Sequence, residues 1–268
     1  MADPAPRVIV HAGFHKTGTT SLQAFVERHR KALSPYAQIH IKTDLGRARY
    51  LGRWYGQRPS AFRRWLFRLG LAAFLRRLDD GPVHFISRES FSGMMPGFHR
   101  RGRRVTGYGD TAIPLARAIV DGLRRRFGPE VRIEFLYTLR DGEAFVRSLH
   151  GHILRTSPLT EDEAAFRAGF PAEVDLAAEA ARIAAAIAPV PVHTERLEEM
   201  TRHRLGPGIA VLRLLGVPRE EWRRFTAAPP NNPGPDAGQR AEMLEINRTG
   251  GRRAALRRRK EALMAARP

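Results

Sequence analysis

The sequence has no cysteine, which excludes disulfides and thiolate metal sites. Lysine is also scarce: Lys16, Lys31, Lys42 and Lys260 are the only four. Acidic residues are few, with 27 Asp and Glu against 46 Lys and Arg, for a formal net charge of +19. No run approaches about 18 uninterrupted apolar residues, so no membrane-spanning helix is expected. The start, Met1 to Pro6, has neither a basic segment nor an apolar one, so it does not read as a signal peptide. The expected address is the cytoplasm. No internal repeat is visible.

What is present is a chain of 268 residues with 43% hydrophobic content, enough for one sizeable core. The surplus of charge is nearly all arginine. It points to an anionic small molecule, polymer or membrane surface. An arginine- and alanine-rich composition equally fits the codon bias of a GC-rich genome.

The run Arg7 to Ala12 is β-branched and bounded by Pro6 and Gly13, which predicts a buried strand. A helix is expected from about Thr19 to Lys31, with Leu22, Phe25 and Val26 on one face. Further strands are expected at 37–41, 82–87, 131–139 and 190–193. Helices are expected at 61–78, 112–127, 142–154 and 209–215, with two more from about Glu161 and Glu173. The 61–78 helix has Phe62, Trp65, Leu66, Leu69 and Phe74 as its apolar stripe, taken to pack on the core. Gly93 to Gly109 reads as an exposed loop. Alternating strands and helices predict an α/β fold, a mostly parallel central sheet flanked by helices. Residues 1–228 are expected to form this domain. Residues 229–268 supply a Pro/Gly linker and a basic helical segment (Arg252 to Ala266) belonging to the same domain.

The richest segment is His11-Ala12-Gly13-Phe14-His15-Lys16-Thr17-Gly18-Thr19-Thr20, between the first strand and the first helix. Backbone N–H groups at such a turn converge on one point, and the helix dipole adds positive potential there. That combination takes a phosphate or sulfate. A nucleoside-triphosphate loop reads G-x-x-x-x-G-K-[ST]. Here Gly13 and Gly18 have that spacing, but Thr19 stands where the lysine would be, and the lysine is at position 16. From there it would reach the terminal group and its bridging oxygen.

Lys16-Thr17-Gly18-Thr19-Thr20 resembles the 5′-phosphosulfate loop of the sulfotransferases that use 3′-phosphoadenosine-5′-phosphosulfate (PAPS). The longer string, Gly13 to Gln23, is similar to bacterial carbohydrate-type members. The resemblance implies a P-loop fold of the sulfotransferase type, with His15, Lys16, Thr17, Gly18, Thr19 and Thr20 around the donor. It also implies a second signature, an arginine ending a strand and a serine eight residues on. Val131 to Leu139 followed by Arg140, and then Ser148, match it. Asp141 is a natural N-cap for the helix between them, and Ser148 falls two turns past that cap. In the family this pair binds the 3′-phosphate that distinguishes PAPS from ATP.

Sulfuryl transfer is an in-line displacement that asks for charge stabilisation and a base. Amides 17–20, Lys16, and the Thr19 and Thr20 hydroxyls are the candidates for the first. Glu89, in Ser87-Arg88-Glu89-Ser90 after a strand, is the candidate for the second. His11, His15, His84, His150 and His152 are weaker competitors. No metal is expected. Trp54 and Tyr55 are possible stacking residues for adenine, as is the segment Asn247 to Arg252. The acceptor hydroxyl stays open among polysaccharide, lipid-linked sugar and small alcohol, and an anionic glycan would suit the charge. Two rival functions remain: a P-loop nucleotide-dependent kinase, and a basic nucleic-acid-binding protein resting on Arg100 to Arg104 and Arg252 to Lys260. Nucleic acid is not the expected partner. Membrane contact through the 61–78 helix is the less favoured alternative to core packing.

Overall fold

The computed structural model describes residues 5–229 and 234–265. The polar start, the 229–235 linker and the far end of the last helix therefore lie partly outside the described residues.

In chain order, β1 (Arg7–His11), α1 (Thr19–Arg28), α2 (Arg30–Leu33), β2 (Gln38–Ile41), α3 (Ala48–Gln57), α4 (Ala61–Leu75) and β3 (Val83–Ser87) come first. A 3-10 turn, Glu89–Ser92, and a short hairpin of β4 (His99–Arg100) and β5 (Arg103–Arg104) follow. Next are α5 (Gly109–Phe127), β6 (Arg132–Leu139), α6 (Gly142–Thr156), α7 (Glu163–Ala168), α8 (Leu176–Ile187) and β7 (Val192–Arg196). The chain ends with α9 (Leu197–Arg202), α10 (Gly208–Leu215), α11 (Ala237–Arg248) and α12 (Arg253–Ala265).

Two compact units result. The first comprises Met1–Met95, Gly107–Arg140 and Leu176–Asn231. Its sheet has the order β2-β3-β1-β6-β7, and every pairing in it is parallel. Alternate residues serve opposite faces, as the pleat requires. Ile9, Ile39, Phe85 and Leu136 pack with Leu22, Phe25 and Val26 of α1 and with Ile209, Val211 and Leu212 of α10. On the other face His84 lies against Phe127 of α5, and His40 meets Phe74 of α4 edge-on. Helices therefore flank both faces, as the strand–helix alternation predicts.

Phe25 is fully buried. Its ring lies 5.9 Å from that of Phe225 and 4.8 Å from that of His29, and Gly208 leaves room for it where a Cβ would come within 2.3 Å. With neighbours on all sides, the site cannot collapse around a smaller residue. Phe25→Ala should cost about 3–5 kcal/mol of stability, measurable by urea unfolding.

Several expectations need correcting. The first helix stops at Arg28, because His29 leaves helical geometry at φ −105°, ψ 15°, and α2 restarts beyond it. Gly93 to Gly97 are buried rather than exposed. Three helices, α3, α9 and α11, were not foreseen. The largest correction concerns α4. Its buried face is Phe67, Leu71, Phe74 and Leu75, whereas Phe62, Trp65 and Leu69 are 61%, 53% and 48% exposed.

The second unit comprises Pro96–Thr106, Asp141–Asp175 and Asn232–Pro268. Within it α11 and α12 pack on α6. The buried Lys260 Nζ donates to Leu154 O (2.7 Å), Ser157 O (3.0 Å) and Asn247 Oδ1 (2.9 Å). Asn247 in turn donates to Leu159 O at 2.8 Å. This network satisfies a charge that burial would otherwise make costly, and it ties the basic C-terminal segment to the end of α6.

Candidate active site

The glycine- and threonine-rich loop joins the end of β1 to the start of α1, in the middle of the sheet. Connections from the carboxyl ends of β1 and β6 leave in opposite directions, towards β2 and β7. In open α/β sheets such a divergence opens a crevice for ligands.

The loop is held from beneath. Phe14 is fully buried between Tyr108 and Tyr137, at ring distances of 4.4 and 4.8 Å. Its carbonyl accepts from the hydroxyls of Thr17 (2.7 Å) and Thr19 (3.0 Å). Thr17 Oγ1 also meets Thr138 Oγ1 of β6 at 2.6 Å. These contacts turn both hydroxyls into the protein, so what Thr17 and Thr19 present outward is backbone. Thr20, by contrast, is exposed. Gly13, Lys16 and Gly18 have φ of 43°, 67° and 90°. At Gly18 a Cβ would be strained and would meet Leu197 Cδ1 at 2.7 Å, so glycine is required.

Gly18 is the N-cap of α1, makes no side-chain cap bond, and is followed by a first turn without acidic residues. The first-turn amides of a helix have no intrahelical acceptor. An anion supplies one and also meets the positive end of the dipole. Arg140, just past β6, donates from Nη1 to the Lys16 carbonyl at 3.0 Å and so braces the left-handed residue of the loop.

Glu89 follows β3, the other neighbour of β1. Its Oε2 accepts from Gln23 Nε2 of α1 at 3.1 Å, and its Oε1 accepts from Arg88 Nη1 at 3.1 Å. Gln23 also reaches Ser87 Oγ (3.2 Å), which pairs with His11 Nδ1 at 2.8 Å. The turn bearing Glu89 is set by α3, which approaches so closely that a Cβ on Gly52 would lie 2.3 Å from Ser90 O. His15 stands beside this group, its amide donating to Tyr108 Oη at 2.9 Å.

Burial opposes ionisation of Glu89, but Arg88, His15 and the Gln23 bond outweigh it and hold its pKa below the ordinary carboxylate value. Burial lowers His11 and His15 from 6.5 to about 4, against the opposing pull of Glu89. Tyr108 is pushed well above 10 by burial and stays protonated. Near neutral pH the group thus holds one carboxylate, neutral imidazoles, and the cations Lys16 and Arg88.

A folded-state pKa below the unfolded one penalises protonation of the native histidine. Above pH 6.5 neither state binds the proton and nothing changes. Between 6.5 and about 4 the unfolded His11 takes up a proton that the buried one refuses, so stability falls across that window. A displacement of that size is worth about 3 kcal/mol. Urea unfolding at stepped pH should show this loss, and His11→Asn should reduce it by one histidine's share, since burial lowers His15 and His40 to about 4 as well.

The first unit therefore collects His15, Lys16, Thr17, Gly18, Thr19, Thr20, Glu89 and Arg140 around the carboxyl ends of β1, β3 and β6. Ser148 belongs to the second unit, half-buried on α6, whose N-cap Asp141 accepts from the Ala144 amide at 2.8 Å. His84 is packed inside the sheet, and His150 is buried with Nε2 on Glu161 O. Trp54 is covered by the Arg63 guanidinium at 4.2 Å, and Tyr55 is buried. Gln23, Ser87 and Tyr108 were not foreseen as members. Only Gln23 carried a signal, one turn into the helix that the loop opens.

No protein-family model matches the sequence, and no curated protein matches it. Among solved structures, the crystal structure of a sulfotransferase from Alicyclobacillus acidocaldarius is similar over 100% of this chain and 98% of that one, at 15% identity and a TM-score of 0.50. With its five parallel strands, its flanking helices and the loop after the first strand, the chain has the fold of that sulfotransferase.

Proposed function

We propose that the protein is a PAPS-dependent sulfotransferase acting on an acceptor hydroxyl, with a carbohydrate as the favoured acceptor class. The observation that carries this reading is the uncapped N-terminus of α1 behind a braced loop, with Lys16 at its centre and Glu89 on the adjoining strand end. The fold shared with a sulfotransferase supports it.

In this reading the 5′-phosphosulfate lies against the amides of residues 17–20. An oxygen lone pair of the acceptor hydroxyl forms a bond to sulfur while the bond from sulfur to the bridging oxygen breaks. The electron pair of that bond leaves on the 5′-phosphate, where Lys16 and the helix N-terminus hold the new charge. The hydroxyl proton passes to the Glu89 carboxylate. The products are a sulfate ester and adenosine 3′,5′-bisphosphate. Arg140 and Ser148 are assigned to the 3′-phosphate by the motif they match.

Calorimetric titration tests the reading against a nucleotide-dependent kinase. Adenosine 3′,5′-bisphosphate should bind more tightly than ATP, with or without Mg²⁺. A preference for ATP, or indifference to both, overturns it.

A further inference from the structure

We propose that the outward face of α4, with the neighbouring face of α3, docks the protein on an anionic lipid membrane. This goes beyond the sulfuryl-transfer reading and does not depend on it. Phe62, Trp65 and Leu69 fall at i, i+3 and i+7, so they form one line along the helix. All three are about half or more exposed, and Tyr50 of α3 is 59% exposed. The rings of Phe62 and Trp65 lie together at 5.9 Å. These are the large exposed apolar side chains among the described residues, and all four belong to two adjacent helices. Leu69 also lines an apolar groove between the two helices, with Leu45, Leu51, Leu66 and Phe74, and Arg47 and Arg77 at its rim.

Charge decides the occupant. Residues 45–78 contain nine arginines and no Asp or Glu. Arg58, Arg64 and Arg68 are exposed beside the apolar line, and only Arg68 is paired there, with Asp121 at 2.7 Å. Aromatic and leucine side chains between arginines match an interfacial helix. The apolar face enters the acyl boundary while the guanidinium groups reach lipid phosphates. A second copy of this chain would bring an equally positive stripe against the first, on a molecule of net charge +19. An anionic bilayer removes that repulsion.

The test is co-sedimentation of the full chain with phosphatidylcholine vesicles, with and without phosphatidylglycerol. Binding is expected only with phosphatidylglycerol, together with a blue shift of the tryptophan emission that is lost in the variant lacking Trp65. The triple variant Phe62→Ser/Trp65→Ser/Leu69→Ser should lose at least about 10-fold in partitioning. Arg58→Gln/Arg64→Gln should lose about 30-fold, from two charges at about 1 kcal/mol each. Because these positions are exposed, both variants should keep the wild-type melting temperature and bind adenosine 3′,5′-bisphosphate as wild type does. That last readout separates failure of the docking from failure of the proposed activity. Equal vesicle binding by wild type and triple variant overturns the proposal, since charge alone would then explain adsorption. So does a wild type that ignores both vesicles, or one that dimerises through this stripe in analytical ultracentrifugation instead.

Discussion

Glu89→Gln should lower turnover by about 100- to 10,000-fold while leaving adenosine 3′,5′-bisphosphate affinity within about 3-fold. The carboxylate is half-buried yet ionised, because Arg88 and Gln23 each hold one of its oxygens. Its depressed pKa makes it a weak base, and a weak base suffices here. The acceptor proton becomes strongly acidic once the oxygen has begun to bond to sulfur, so transfer comes late. Glutamine keeps the shape but cannot take the proton. Its amide would also point a donor at one of the two donors that the carboxylate accepts from. Steady-state rates with a fixed acceptor, beside a melting curve, separate chemistry from folding. Turnover within a few-fold of wild type would move the base elsewhere, with His15 the next group to change.

The second large effect is expected at Lys16. Lys16→Met keeps most of the length of the side chain and removes its charge, and turnover should fall by about 100- to 1,000-fold. The loop itself should persist. It is built by Phe14 beneath it, by the Thr17 and Thr19 hydroxyls on the Phe14 carbonyl, and by Arg140 on the Lys16 carbonyl, none of which uses the ammonium group. Ground-state binding of the bisphosphate product, which lacks the sulfuryl group, should therefore change much less than the rate. A loss of affinity as large as the loss of rate would mean that the lysine serves binding in general and not the charge that develops on the leaving oxygen.

How much of this was readable in advance differs from element to element, for physical reasons. The sheet was readable because Val8 to Val10 and Phe135 to Leu139 are β-branched or apolar runs, buried on both faces as parallel strands must be. The turn between β1 and α1 was readable because its glycine and lysine spacing is local. Helix α3 was not, since Gly52 and Gly56 lie inside it, and glycine argues against a helix. Those glycines serve a close approach to the 89–94 segment, which no window of sequence reveals. Helix α4 was identified, but its stripe was assigned inward. It carries two apolar lines, and only the position of β2 and α5 decides which one is covered. Tyr108 escaped notice because it joins the loop from 93 residues away. The C-terminal segment was expected to belong to the domain, but not what would hold it there. Its anchoring rests on Lys260 and Asn247, whose burial shows only in three dimensions.

The bond from Arg140 to the Lys16 carbonyl has a consequence for kinetics. A side chain that steadies the scaffold and, in the proposed reading, also meets the donor would leave no separable trace when it is deleted. Arg140→Ala frees the backbone of a residue held at φ 67°, so the loop can unwind towards ordinary geometry as the donor loses a contact. Affinity and rate should then decline together. Under the proposed assignment of Arg140 to the 3′-phosphate, the distinction between gripping the nucleotide and shaping the catalyst disappears at this position, because one guanidinium would do both.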